Sequence, residues 1–491
     1  MSGEPVDLRP EPGKRVDASD GEGWSSSRAV EASMLSSLLT VAIGADGWTY
    51  RPLRLAGARI TGALDLESAT LTRPLYLQDC FLEDPVKLND AHAITIRLAG
   101  CHLPGIIGSA LHTSGDLRLN DGFTAIGNVD LRSARIGGAL NCDGGTFTNR
   151  NGVALNAGSL TVDGDMFCSG KFTATGPVIL GGAHISGVLN CNGGTFTSEN
   201  QTALDARSLT VDGNMLCSGK FTATGAVNLG GAHIGGTLDC DGGTFTNGND
   251  LALGLHRAEV AKDVIFRPTS LTGEVNLSFA KVGGWRDAEA TWPDKGKLSL
   301  NGFTYPIIDA EPPVTPRRRL QWLQRDAKGF LPQPYDQLAN TYRLQGDDGA
   351  AREVQISAQW HRRAAVNSPS GLVLRPFRLL WSALLWATIG YGYRPWQILA
   401  PIGILYGFGC WWFTRAAEHG GIVRAENLDP HVQFNGARYA ADLLIPGAGL
   451  GERANFLAIG QTAWWAAGYT LAGWALAAML IAGLTGVFKR Q

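Results

Sequence analysis

Five cysteines, Cys142, Cys168, Cys191, Cys217 and Cys240, follow one another at intervals of 26, 23, 26 and 23 residues. Thiolates at regular spacing could ligate a metal, pair as disulfides or carry redox chemistry, so the direction in which they point decides what is open to them. In Leu189-Asn-Cys191 the leucine and the cysteine stand two apart and share one face of a strand; with Leu189 inward, the thiol is inward too. Zinc and iron–sulfur sites draw on thiolates clustered at short spacings such as Cys-x-x-Cys, which the sequence lacks. On neighbouring coils such thiols would fall within the ~4.4–6.8 Å Cα range of a disulfide. Spacing and alternation together favour a buried column of free cysteines acting as small hydrophobes.

The remaining chemistry-bearing residues read as surface and turns. His184 and His233 sit in matched Gly-Gly-Ala-His-Ile segments, where alternation with Ala183 and Ile185 points the imidazole outward. Two coils apart at ~4.8 Å per coil, they would be about 10 Å apart, too far to share a metal at ~2 Å bonds. Asp143, Asn192 and Asp241, each before Gly-Gly, and Asp163 and Asp212, each before Gly, are turn residues: Asp and Asn bond their own backbone and Gly takes positive φ. Pectin-cleaving β-helices carry acidic groups in a cleft walled by long loops, whereas the near-constant coil length here leaves no such insertion. The calcium pattern Gly-Gly-x-Gly-x-Asp is missing. Gly407-Phe-Gly409, followed by Trp412, lies in an apolar run and is no dinucleotide fingerprint; Gly403 and Gly407 form a small-xxx-small pair expected to pack helices. No catalytic, cofactor-binding or metal-ligating residue and no cofactor is assigned.

What positions these residues is a repeat. Leu140-Asn-Cys-Asp-Gly-Gly-Thr-Phe147 returns at Leu189–Phe196 and Leu238–Phe245, 49 residues apart each time, and Leu160–Cys168 returns at Leu209–Cys217. A period near 24 with apolar residues two apart predicts stacked coils of short parallel strands. The fold class expected is mainly β: a right-handed parallel β-helix, then a short helical hairpin and a two-helix transmembrane region. The divisions are a disordered tail at 1–27, a capping helix at 28–43 and the β-helix at 44–310, in ten or eleven coils. A helical hairpin or linker at 311–368, an interfacial helix at 369–394 and a two-span membrane domain with an external loop at 395–491 complete the chain. At ~4.8 Å per coil the rod would be about 50 Å long.

Bulk properties set further bounds. The chain has 491 residues, a formal net charge of −2 and a pI near 6.5, which does not indicate a globally basic nucleic-acid binder. Sixty-four glycines fit a fold with a tight corner on every coil. Only 18% of residues are charged, and the deficit sits in the C-terminal quarter. Residues 1–27 show no apolar signal-peptide core, so the eight cysteines read as reduced thiols in the cytosol.

The C-terminal quarter reads as membrane. Pro395–Thr414 is uncharged over 20 residues and Ala454–Phe488 over 35; about 20 residues cross a hydrocarbon core. Trp396, Trp411, Trp412, Trp464 and Trp465 suit interfacial depth. Arg352, Arg362, Arg363, Arg375, Arg378, Arg394, Lys489 and Arg490 flank the spans, against Arg415, Arg424, Arg438 and Arg453 between them. The excess of cations on the flanks predicts cytoplasmic termini and an external Glu418–Glu452 loop. Within it, Tyr439–Pro446 is read as a cap resting on the membrane, with a short pore-like helix as the alternative.

Leu53-Arg-Leu-Ala-Gly-Ala-Arg-Ile-Thr-Gly-Ala-Leu-Asp-Leu66 resembles the first coils of a family of actinobacterial membrane proteins with pentapeptide-like β-helices. Arg375-Pro-Phe, Gly390-Tyr-Gly-Tyr-Arg-Pro-Trp396 and Ala482-Gly-Leu-Thr-Gly-Val-Phe-Lys-Arg490 resemble its membrane end. The resemblance implies a membrane-anchored β-helix; members are often labelled membrane-associated oxidoreductases, and the family offers no catalytic motif to carry over. The leading expectation is a scaffold or binding protein with protein partners on the coil surface, the membrane as a second partner, no nucleic acid, and homo-oligomer contacts through the membrane helices. The alternatives are a small two-span pore or effector controlled by the cytoplasmic domain, and an oxidoreductase.

Overall fold

The computed structural model describes residues 6–41, 51–366, 399–425, 432–445 and 447–484. The chain forms two compact units, Met1–Ala351 and Arg352–Gln491.

The first unit is a parallel β-solenoid of about 11 turns. One turn runs through His184–Ile185, Leu189–Asn190, and then the strand Thr195–Asp205, whose two ends make the remaining sides. The first two segments belong to a 20-stranded sheet and the last to a 17-stranded sheet. Register is exact in the apolar positions: Ile185 lies between Val162 and Val211, and Leu189 between Met166 and Met215. Because a side is only two or three residues long, each presents one inward side chain, and identical types stack. Phe123, Phe147, Phe172, Phe196, Phe221 and Phe245 form a buried column with ring centroids 5.0–5.4 Å apart. The extra residues of the longer coils are absorbed by register shifts, as between Thr197 and Thr202.

The amino-terminal segment departs from the expectation of a disordered tail at 1–27. Val6–Asp7 pairs in parallel with Leu55–Ala56, and Ala29–Glu31 with Arg59–Thr61. Both exposed edges of the first full coil are thereby paired, which is what an open sheet edge demands. Polar composition hid this because the strands are two and three residues long. The capping helix expected at 28–43 is shorter, α1 (Ala32–Thr40), with Ala32, Leu35 and Leu39 buried; residues 42–43 lie outside the described residues.

At the other end three helices follow: α2 (Pro316–Leu323), α3 (Pro332–Leu344) and α4 (Asp348–Val366). Thr315 caps α2 through the Arg318 amide, and Gly346, at φ 83°, turns the chain between α3 and α4. α3 covers the last coil with polar groups. Gln333 Nε2 donates to the Phe303 carbonyl at 3.2 Å, and both Gln337 Nε2 and Thr341 Oγ1 donate to that of Tyr305 at 2.7 and 2.9 Å.

The second unit contains α5 (Leu399–Glu418), α6 (Gly436–Leu444) and α7 (Gln461–Leu484), with Ile422–Arg424 and Phe456–Ala458 paired antiparallel. Among the described residues one helix, α7, is long and apolar enough to cross a membrane. α5, the counterpart of the expected first span, has the length, but its Pro, Gly, Trp and Tyr content lowers its hydropathy. The expected interfacial helix at 369–394 lies outside the described residues.

Candidate functional site: an arginine–tyrosine groove on the first coils

Each sequence candidate has a definite place. Cys80, Cys101, Cys142, Cys168, Cys191, Cys217 and Cys240 are all buried. Burial pushes the Cys240 thiol up, and hydrogen bonding to the preceding cysteine together with burial does the same for Cys168 and Cys217. Protonated, enclosed thiols are poor nucleophiles and poor ligands. His184 and His233 point outward and meet Asp212 at 3.1 Å and Glu259 at 3.7 Å. Among the described residues no three His, Cys, Asp or Glu side chains are grouped to hold a metal.

The turn residues also tie coils together. Asp143 Oδ1 accepts from the Ser169 amide and hydroxyl at 2.8 and 2.6 Å; Asn192 repeats this with Ser218. Gly144, Gly193 and Gly242 take positive φ as expected. Gly164 and Gly213 do not: they are glycine for room, since a Cβ on Gly213 would lie 2.5 Å from the Gly187 carbonyl oxygen. A Cβ on Gly403 or Gly407 would meet nothing within 4 Å among the described residues.

The site that the structure assembles was not anticipated. Arg54, Tyr76, Arg97 and Arg118 hold one outward position on four successive coils, in register Arg54–Tyr76, Tyr76–Arg97 and Arg97–Arg118. Each precedes an inward leucine: Leu55, Leu77, Leu98 or Leu119. The Arg54 guanidinium lies 5.4 Å and that of Arg97 4.6 Å from the centre of the Tyr76 ring. They line a groove of about 480 Å³ together with Asp7, Arg9 and Arg15 of the amino-terminal segment.

Charge in the groove is unevenly matched. Arg9 bonds Asp7 at 2.6 Å and Asp79 at 3.3 Å, Arg15 meets Asp79 at 2.7 Å, and Arg118 turns back to Asp116 at 2.8 Å. Partial burial raises the Asp116 carboxyl, but hydrogen bonds from the Ala139 amide and Arg118, with the charges of Arg118 and Arg97, hold it below its ordinary value. Arg54 and Arg97 have no carboxylate at ion-pair distance among the described residues. Arg97 Nε is also withdrawn from solvent without a hydrogen-bond partner. Like charges on neighbouring strands repel, and the attraction of both guanidinium groups to the Tyr76 ring offsets part of that cost. The arrangement can receive an oxyanion. In the sequence its signal was the residue before the inward leucine, repeating at the coil period, but four coils without an obvious repeat concealed it.

No protein-family model, curated protein or solved structure matches this chain.

Proposed function

We propose that the chain is a membrane-anchored β-solenoid binding protein whose first coils receive an acidic partner protein. The observation that carries this reading is the pair Arg54 and Arg97, ordered on either side of Tyr76 and without carboxylate partners. Two preorganised guanidinium forks on neighbouring coils suit carboxylates displayed along an extended segment, each bound through two parallel hydrogen bonds. A rigid solenoid keeps that spacing fixed and lowers the ordering cost of association.

α7 and α5 serve as the anchor, with both termini on the cytoplasmic side by the distribution of Lys and Arg. The family resemblance supports anchoring; the oxidoreductase label that travels with it finds no support in the enclosed thiols.

The test is capture from solubilised membranes with the tagged full chain, comparing wild type with the double variant Arg54→Glu/Arg97→Glu. An acidic protein retained by the wild type should be lost from the variant and should elute from the wild type as salt rises. Equal retention by both proteins, with unchanged unfolding midpoints, would remove the groove from the function.

A further inference from the structure

The membrane unit holds a short helix that enters the depth of the longer ones. α6 starts beside the carboxy-terminal turns of α5: a Cβ on Gly436 would lie 2.1 Å from Thr414 Oγ1 and 3.2 Å from the Cys410 carbonyl oxygen. It ends beside the middle of α7, where a Cβ on Gly473 would lie 2.3 Å from the Leu444 carbonyl oxygen. Gly473 is 12 residues beyond Gln461, about 18 Å along a helix and near the midplane of a ~30 Å hydrocarbon core. Along its length α6 buries Tyr439, Ala440, Leu443 and Leu444 against Phe413, Ala466 and Tyr469. Tyr469 Oη donates to the Leu405 carbonyl at 3.0 Å, locking α7 to α5 at the same depth.

From that depth the chain returns without regular structure. Gly447, Gly449 and Gly451 take φ of 80°, 60° and 80°, alternating with residues outside the left-handed region. Asp442 fixes the return, accepting from the Leu450 amide at 3.0 Å and the Arg453 amide at 2.9 Å. The amides of Gly447 and Gly449 and the carbonyls of residues 447–450 have no partner among the described residues, and Gly447, Gly449 and Leu450 are exposed. Hydrocarbon does not tolerate such backbone; irregular chain at membrane depth is either buried in protein or lines a water-filled cavity. Among the described residues of one chain, the two long helices do not enclose such a cavity. Gly403 and Gly407 on α5, open among the described residues, leave room for close approach by another helix.

We propose that α6 and residues 447–451 form a re-entrant hairpin that lines an aqueous path for small ions, closed by further copies of this chain around a common axis. This rests on the anchoring proposed above. Water and the neighbouring copies satisfy the free amides and carbonyls, and α6 with Asp442 holds their spacing. Large apolar side chains exposed on the two long helices, Ile404 on α5 with Trp464 and Leu471 on α7, suit lipid.

The experiment uses the full chain, with Cys410→Ala to remove the one cysteine that is not fully buried, reconstituted in liposomes. Carbonate extraction comes first, and loss of the protein from the vesicles would sink the anchoring reading itself. With the protein retained, Ala448→Cys and Leu450→Cys should react with a charged, membrane-impermeant thiol reagent at least tenfold faster than Leu471→Cys. Potassium or chloride flux above that of empty vesicles should fall after labelling, and chemical cross-linking should yield closed oligomers. Retained protein that reacts no faster at 448 and 450 than at 471, passes no ions, or stays monomeric overturns the hairpin as a pore lining.

Discussion

Arg319 and Asp287 form a two-point ion pair, at 2.6 and 2.8 Å, with both side chains almost wholly removed from solvent. The Asp287 carboxylate also accepts from the indole nitrogens of Trp285 and Trp292 at 2.9 and 3.0 Å. The pair joins the last coils to α2, and Trp285 continues the aromatic column beyond Phe266. Breaking a buried pair strands the surviving charge, at a cost of about 3–5 kcal/mol, while an apolar replacement of both partners is far better tolerated. Arg319→Met should therefore destabilise the solenoid strongly in denaturant unfolding. Arg319→Met/Asp287→Leu should recover part of the loss, less what the two orphaned indole donors cost. Equal destabilisation by the single and double variants would show that the carboxylate is not the liability.

The phenylalanine column predicts a graded response. Phe196 is buried with its ring between those of Phe172 and Phe221, at 5.0 and 5.4 Å. Phe196→Ala should cost about 3–5 kcal/mol and Phe196→Leu considerably less. The neighbouring Thr195, partly exposed, should tolerate Ala within about 0.5 kcal/mol. Urea midpoints of the three variants check the order, and a Phe196→Ala no worse than Thr195→Ala would deny the column a role in stability.

Thiol chemistry gives an independent reading of the same core. Seven of the eight cysteines are buried. The native protein should consume an impermeant thiol reagent slowly at all seven, and all eight should react together once it is unfolded. Cys191→Ala should cost roughly 1–2 kcal/mol as a small cavity, and Cys191→Asp should disorder neighbouring coils, since the carboxylate finds no partner. Rapid native labelling at Cys191 would reverse the inward assignment.

How much of this was legible follows from the physics of each element. The repeat at Leu140–Phe245 displayed its coils because inward residues of one type stack at a near-constant period, and the inward thiols and outward histidines followed from alternation alone. The amino-terminal strands were invisible because their order comes from partners distant in sequence, Leu55–Ala56 and Arg59–Thr61, and from Asp79, 70 residues from Arg9. The groove was missed for a related reason. Arg54, Tyr76, Arg97 and Arg118 become neighbours only when coils of 21 and 22 residues are stacked in register, and no local pattern announces that. Gly164 and Gly213 show a third limit: a glycine required for close approach looks in sequence like one required for a turn.

The amino-terminal segment should loosen in acid. A hydrogen bond from the Arg9 side chain, with those from the Arg9 and Gly13 amides, holds the Asp7 carboxyl well below the usual carboxylate range. A depressed folded value means that this contribution is complete above the unfolded pKa of ~3.9 and fades as the pH falls through the folded value. Asp79 runs the other way: burial raises its carboxyl against the pull of Arg15 and Arg9, so its protonation in acid favours the folded state and offsets part of this loss. Acid protease should nick residues 6–31 faster at pH 3 than at pH 4.5, after correction for its rate on unfolded protein. Asp7→Asn should show increased nicking by a neutral protease already at pH 7. Unchanged cleavage in both experiments would mean that the strand pairing, and not the ion pairs, holds the segment.

Orientation is the last expectation, and it determines which compartment the groove faces. Eight Lys and Arg residues flank the two uncharged runs, 395–414 and 454–488, and four lie between them, and the side richer in these cations stays in the cytoplasm. Reporter fusions read this directly. A good junction is Gly420, whose φ of 75° marks the turn after α5 and before Ile422–Arg424. Gly436 would be a poor one, because it is packed against Thr414 at the start of α6. A phosphatase active only outside the cytoplasm should be active when joined after Gly420 and silent after Gln491. Activity at Gln491 with silence at Gly420 would put the solenoid outside, where an acidic partner would have to be extracellular and the cysteine column would face an oxidising milieu. Activity at both sites would leave α5 crossing and α7 not, removing the paired anchor on which the re-entrant hairpin depends.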